Sequence, residues 1–342
     1  MTPPFDPDAA ATGEGIYGLP DGEETSAVIL IPVPWDATTS YARGTAAGPE
    51  SILQASRQVD LFDREVGRPY ESGIALLPED PQIRAWNQRA GELAAPVIAA
   101  GGVAGDAELA RRAQEVNQLG TFLNDRVREV ADHWLQRGRL VGVIGGEHSV
   151  PFGCYQALAR RHPTFGILQI DAHCDLRAAY EGLRWSHASI FHNALEEIPQ
   201  VQRLVQVGIR DYSGGEDAAI EASQGRVRTW FDNDLRRRLQ DGEPWTPLAR
   251  EIVDHLPPLV HVSVDIDGLD PSLCPHTGTP VPGGLSMVEA VSLFRHLIES
   301  GRRIIGFDLC EVAPDPSGTS EWDGNVAARL LYKLIGYALR GA

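Results

Sequence analysis

The sequence predicts an α/β fold with a doubly wound, mostly parallel sheet covered by helices. Three observations carry that expectation. Apolar runs of strand length recur without polar alternation, segments with helical spacing lie between most of them, and acidic or histidine-bearing motifs follow several runs at once. Strands buried on both faces read in this way, because helices cover the two sides of a parallel sheet.

Taken in order, residues 1–26 are rich in Pro, Gly, Asp and Glu and read as an irregular N-terminal arm. AVILIPV (27–33) is the first strand-like run. Residues 68–120, with Pro, Gly and long polar stretches, break the rhythm and read as an insertion between core elements. LVGVIGG (140–146), FGILQID (165–171), RLVQVGI (203–209), LVHVSVDID (259–267) and RIIGFDL (303–309) are the further runs. VPFGCYQALARRH, SMVEAVSLFRHLIES and WDGNVAARLLYKLIGYALR have helical spacing. No linker divides these units, so residues 27–342 are expected to form a single catalytic domain.

Composition narrows the function. Against 30 Lys and Arg stand 47 Asp and Glu, a formal charge of -17. Such a surface repels nucleic acid and anionic membranes, and suits a cationic ligand. The four cysteines have no pairing pattern, and no signal-like region or apolar run of membrane-spanning length is present, so the expected location is the cytoplasm.

Folds of this class place their sites at the carboxyl ends of strands. Here LVGVIGG runs into Glu147 and His148, FGILQI into Asp171, His173 and Asp175, and VHVSV into Asp265, Asp267 and Asp270. Side chains two apart on a strand face the same side, so Asp171 can converge with His173, and Asp265 with Asp267. Taken together, His148, Asp171, His173, Asp175, Asp265 and Asp267 supply four carboxylates and two imidazoles. Carboxylates gathered in an interior either protonate or hold cations. The oxygen-rich, thiolate-free set suits two ions, with manganese favoured over zinc and iron, nickel or cobalt left open. Two ions so held acidify water and stabilise oxyanion character, which points to hydrolysis.

The motifs GGEHS (145–149), DAHCD (171–175), SVDIDGLDP (263–271) and GTPVPGGLS (278–286) closely resemble those of the ureohydrolases, the family of arginase and agmatinase. PWDATTSYARGTAAGPESI (34–52) resembles the early loop of agmatinase-type members, and CEVAP (310–314) the late acidic motif. The resemblance implies a three-layer α/β/α fold holding two Mn2+ ions, which hydrolyses a small guanidino substrate to urea and an amine. It further implies that His148, Asp171, Asp175 and Asp265 hold one ion and that Asp171, His173, Asp265 and Asp267 hold the other. Asp171 and Asp265 would bridge. By the same resemblance Glu311 pairs with the guanidinium, His187 shuttles protons in preference to His192, and Asp175 takes the proton of the attacking water. A homo-oligomer, commonly a trimer or hexamer, is also implied.

Three positions depart from the usual pattern or invite a second reading. Glu147 stands where aspartate commonly precedes the first histidine, and is expected to support or cap. Cys174, between His173 and Asp175, and Cys310 are expected to pack rather than react. For the substrate, LRAAYEGLRWSHAS (176–189) contains no asparagine, unlike the arginine-binding loop of arginases. Agmatine, giving putrescine and urea, is therefore favoured. Guanidinobutyrate, aminopropyl-substituted agmatine, guanidine and arginine remain alternatives, with Arg177, Arg184 and Glu181 as candidate tail contacts. Selectivity is expected from residues 1–26, 68–120 and 210–225. A single-zinc deacetylase or a non-catalytic relative would retain fewer of the six ligands.

Overall fold

In a computed structural model describing residues 5–341, eight strands form one sheet. They are β1 (Val28–Val33), β2 (Ile74–Leu76), β3 (Leu140–Gly145), β4 (Phe165–Ile170), β5 (Val201–Ile209), β6 (Val227–Phe231), β7 (Leu259–Asp265) and β8 (Arg303–Cys310). The order is β2-β1-β3-β8-β7-β4-β5-β6, and every pairing is parallel. β3 and β4 are consecutive in the chain yet stand on either side of the β8–β7 pair. Connections that diverge in this way leave a crevice at the carboxyl edge, the place where such sheets bind ligands.

Ten helices complete the described fold: α1 (Gly48–Ser56), α2 (Pro81–Ala99), α3 (Ala107–Gln136), α4 (Phe152–Ala159), α5 (Ile190–Glu197), α6 (Gly214–Ala222), α7 (Asp232–Gln240), α8 (Trp245–Asp254), α9 (Met287–Glu299) and α10 (Trp322–Arg340). They divide the core into two halves, one on each face of the sheet. Apolar side chains of α1, α7, α8, α9 and α10 pack on one face with Leu168, Val262 and Phe307. Those of α2, α3, α4 and α5 pack on the other with Ile31, Val143 and Ile167. This is the three-layer α/β/α arrangement expected.

The expected strands are all present, and two short edge strands join them. β2 has three residues, and β6 (VRTWF) carries the exposed Arg228 within its run, so neither reads as a continuous apolar segment. The expectation of an insertion over 68–120 is corrected. That stretch holds β2, α2 and most of the first half of α3, and both helices contribute buried residues to one covering layer. Its loop-like appearance comes from Pro96 near the end of α2 and from the glycines at 101, 102 and 105. Asp106 then starts α3, its carboxylate accepting from Glu108 N at 2.8 Å and Leu109 N at 3.0 Å.

Of the lead-in, residues 1–4 lie outside the described part, and residues 5–26 hold one 3-10 turn, Ile16–Gly18. That turn is packed on the body: Tyr17 is buried, donating from its hydroxyl to Ala328 O at 3.0 Å. No helix among the described residues is long and apolar enough to cross a membrane.

Candidate metal centre

The central four strands, β3, β8, β7 and β4, deliver the acidic and imidazole groups to one point. His148 follows β3, Asp171, His173 and Asp175 follow β4, Asp265 ends β7 with Asp267 in the next turn, and Glu311 follows β8. Asp171, Asp175, Asp265, Asp267 and His148 are buried, and His173 is half-buried at the floor of a cavity. Past β4 the chain turns sharply, with Asp175 at φ 53°, so that its carboxylate comes back toward His148 instead of continuing along the strand.

His148 Nδ1 lies 2.9 Å from Asp171 Oδ2, 3.1 Å from Asp175 Oδ2 and 3.4 Å from Asp265 Oδ2. His173 Nδ1 lies 3.1 Å from Asp267 Oδ2 and 3.6 Å from Asp171 Oδ1. Two sets of donor atoms result, each with all members within 4.8 Å of one another: His148, Asp171 and Asp265 in one, Asp171, His173 and Asp267 in the other. Asp171 is common to both sets and offers one oxygen to each. Asp175 approaches the first set through His148, and Asp265 stands in the first set alone.

Backbone and side-chain donors hold these carboxylates. Asp171 Oδ1 accepts from His173 N at 2.7 Å, Asp265 Oδ1 from Asp267 N at 2.9 Å, and Asp267 Oδ1 from Ala172 N at 3.0 Å. The Arg210 guanidinium donates to the carbonyls of Asp267 at 2.6 Å and Val281 at 2.9 Å, tying the turn after β7 to the loop that lines the cavity.

The electrostatics of the metal-free cluster conflict. Burial and the neighbouring Asp171 charge push Asp175 up to about 7. Burial, Asp267 and Asp171 push Asp265 well above the carboxylate range. His173 is opposed by its burial, yet the Asp267 and Asp171 carboxylates lift it to about 12. Carboxylates driven toward neutrality beside an imidazole driven toward charge are a site short of positive charge. Divalent cations relieve both demands, and a donor set of carboxylate oxygen and imidazole nitrogen without thiolate fits them.

Glu311 stands beside the cluster at φ 62°, its Oε1 accepting from His148 N at 2.9 Å. Its Oε2 is buried without a partner, and burial with the Glu147 charge raises the group well above its ordinary value. A buried carboxylate oxygen left unpaired calls for a donor that the chain does not supply, although Glu311 is not among the residues lining the cavity over the cluster. Glu147 plays the supporting role expected of it. Buried, and pushed up to about 7 by that burial, it accepts from Trp35 Nε1 at 3.1 Å, Thr38 N at 2.8 Å and Ser149 Oγ at 2.6 Å. It thereby fixes the loop after β1.

A cavity of about 450 Å³ opens above the cluster, and His173, Asp175 and His187 lie in its wall with Ser40, Tyr41, Arg177, Tyr180, Asp211, Tyr212, Glu216 and Thr279. His187 thus reaches the cavity, whereas His192 lies within α5 and is not among the lining residues. Arg177 lines it with its Nε 3.6 Å from Glu216 Oε2 and its guanidinium over the Tyr180 ring. Arg184 is paired with Glu197 and stacked on Trp185, and neither it nor Glu181 lines the cavity. Of the three segments expected to give selectivity, 210–225 contributes Asp211, Tyr212 and Glu216, while the described parts of 1–26 and 68–120 contribute nothing to this wall. Cys174 and Cys310 are buried in the core, as expected for packing groups.

Ser40, Tyr41 and Thr279 escaped the sequence reading, although all three sit in segments it had singled out. Thr38 escaped it too: its pairing with His187 spans 149 residues and has no local signal.

A family model described as the arginase family matches residues 26–336. An N(1)-aminopropylagmatine ureohydrolase of Thermus thermophilus is 34% identical over 94% of each chain. The agmatinase of Pyrococcus horikoshii is 28% identical, over 91% of this chain and 92% of its own. Among solved structures, the agmatine ureohydrolase of Thermoplasma volcanium superposes with a TM-score of 0.71 at 24% identity, covering 96% of this chain and 94% of its own.

Proposed function

The chain belongs to the arginase family, and from that premise we propose that it is a binuclear-metal ureohydrolase, converting a guanidino compound and water into urea and an amine. The observation that carries this reading is the sharing of Asp171 between two adjacent donor sets at the floor of a cavity.

His148, Asp171, Asp175 and Asp265 would hold one ion, and Asp171, His173, Asp265 and Asp267 the other. Manganese is the proposed metal, because the donors are mainly carboxylate oxygen. Bound there, the ions would supply an acidified water and compensate the charge that develops during attack. The remaining work falls to the chain. Glu311 Oε2 would accept from the guanidinium and hold its plane fixed, which matters because delocalisation makes that carbon a poor electrophile. Asp175 would take the proton of the attacking water, and His187 on the cavity wall would relay protons to and from solvent. The proton taken up by Asp175 would pass to the departing nitrogen, which leaves as the amine.

For the substrate we propose a guanidino compound with an amine-bearing tail, agmatine first. Asp211, Tyr41 and Tyr212 at the open end of the cavity suit a cationic tail, through a carboxylate and aromatic faces. A longer aminopropyl-substituted agmatine is the second reading, favoured by the Thermus thermophilus relative. A homo-oligomer, trimer or hexamer, and a cytoplasmic location are proposed alongside, the latter in keeping with four buried free cysteines.

The test is urea release by Mn2+-loaded protein from agmatine, aminopropylagmatine, guanidinobutyrate, arginine and guanidine. The two amine-tailed compounds should give the highest kcat/KM. Urea from none of them, with two ions per chain verified, would refute the hydrolase reading.

A further inference from the structure

Two residues beneath the ligand layer, the sheet carries a second row of polar side chains. Thr229 of β6, Gln206 of β5, Gln169 of β4, Ser263 of β7 and Asp308 of β8 are successive register partners across five neighbouring strands. The last four are fully excluded from solvent. Since strand side chains repeat every second residue, Gln169 lies directly under Asp171, and Ser263 under Asp265.

Each buried polar group left unpaired costs about 1–3 kcal/mol, so a row of them persists only if connected. This one is connected with a definite direction. Thr229 Oγ1 donates to Gln206 Oε1 at 2.8 Å. Gln206 Nε2 donates to Gln169 Oε1 at 2.6 Å and to the Cys174 carbonyl at 2.8 Å. Gln169 Nε2 donates to Asp171 Oδ2 at 2.8 Å and to the His173 carbonyl at 3.0 Å. Main-chain carbonyls only accept, so the amide NH2 groups must face them and neither glutamine can be turned over. The four N–H bonds of the two amides therefore grip the backbone of residues 173 and 174, one oxygen of Asp171, and each other. That segment has left β4 and belongs to no helix or strand.

We propose that Gln206 is a positioning residue of the metal centre: acting through Gln169 and the Cys174 carbonyl, it holds the segment 171–175 in its ligand arrangement without touching a ligand itself. The proposal rests on reading the cluster as a metal centre. Outer hydrogen-bond partners of metal ligands are worth about 10–100-fold in affinity where they have been removed, and a ligand loop paired in strand fashion by only the isolated His173–Asp211 bridge leans on them.

The test is Mn2+ affinity of the metal-free full chain, by chelator competition, for wild type, Gln206→Met, Thr229→Val and Val205→Ala. Val205 is the neighbour of Gln206 on the opposite face of the sheet and controls for loss of general stability, followed as the thermal midpoint of the metal-free proteins. Gln206→Met should bind Mn2+ about 10-fold more weakly, the low end of that range because it acts through Gln169, Thr229→Val less so, and Val205→Ala as wild type despite a lower midpoint. Unchanged affinity in Gln206→Met, or equal weakening in Val205→Ala, overturns the proposal. Should Gln206→Met not fold, weakened binding by Thr229→Val supports the proposal and unchanged binding overturns it. Wild type that binds no Mn2+ removes the metal centre and this role together. Wild type that binds two ions but releases no urea contradicts only the catalytic reading, and the variant affinities still decide the role of Gln206.

Discussion

His187 Nδ1 donates to the main-chain carbonyl of Thr38 at 2.9 Å, while the His187 backbone N–H donates to the Thr38 hydroxyl at 3.2 Å. A carbonyl only accepts, so Nδ1 carries the ring proton and Nε2, 3.4 Å from Ser40 Oγ, keeps its lone pair. In the metal-free protein burial and then the His173 charge hold the ring down at about 4, so it is neutral at neutral pH. His187→Ala should lower kcat by about 10²–10⁴-fold, the range for a positioned proton-transfer group. Steady-state kinetics with elemental analysis will check it: two ions per chain should remain, and wild-type turnover would exclude the role.

The acid limb of activity follows from the same ring. Its folded pKa is depressed below the ordinary 6.5, so between about 4 and 6.5 the unfolded chain binds more protons, and this group adds stability as pH rises through that window. Bound divalent cations would disfavour its protonated form as the His173 charge does in the metal-free protein, so the ring stays neutral as pH falls toward 5. Loss of kcat between pH 7 and pH 5 should therefore track loss of bound metal. A fall in rate with both ions retained would contradict this assignment.

Metal affinity itself should rise with pH. In the metal-free protein His173, opposed by burial but lifted to about 12 by Asp267, is protonated at neutral pH. Asp175, raised to about 7, is half protonated there. The raised His173 stabilises the metal-free fold fully below its ordinary 6.5 and loses that contribution as pH climbs through about 12. Bound cations must displace these protons, so Mn2+ titration should release more than one proton per chain near pH 7. Calorimetry in two buffers of different ionisation enthalpy measures that number, and a value of zero would be inconsistent with these ligands.

The two carboxylates proposed to serve both ions should differ in degree. In the metal-free cluster Asp171 already stands in both donor sets, whereas Asp265 stands in the one with His148. Asp171→Asn is expected to empty both sites, and Asp265→Asn to weaken both, the ion beside His148 more. Elemental analysis after dialysis distinguishes them, and full occupancy in Asp171→Asn would reject its shared role.

Much of this was legible in the sequence, for a physical reason. A strand buried on both faces must be apolar throughout, so carboxylates and imidazoles at the ends of such runs stand out, as after LVGVIGG and FGILQI. β6 was hidden because an edge strand is half solvated, and α2 and α3 because Pro96 and the glycines between them mimic a loop. The supporting row was visible but not interpretable. Gln169 and Gln206 each interrupt an apolar run, yet only strand order makes them partners. Thr38 and His187 likewise meet through tertiary structure alone.

Glu311 offers a further separation of binding from folding. Oε1 holds His148 N, and Oε2 is buried without a partner. Glu311→Gln can keep the first bond but presents an amide N–H or a neutral oxygen where the guanidinium should donate. Loss of one charge-assisted bond, about 3 kcal/mol, predicts a fall of about 100-fold in kcat/KM. The thermal midpoint of the metal-free protein should not drop, because a buried unpaired carboxyl is replaced. A lower midpoint with normal kcat/KM would instead make Glu311 structural.

The central claim is that water attacks the guanidino carbon and the tail leaves as an amine. Turnover of agmatine in 18O-water by the Mn2+-loaded protein, read by mass spectrometry, tests it most directly. The expected result is urea carrying one 18O atom, formed in equal amount with unlabelled putrescine. Release of ammonia with the label retained on the tail-bearing product, or no turnover of any amine-tailed guanidino compound with both ions bound, would contradict it.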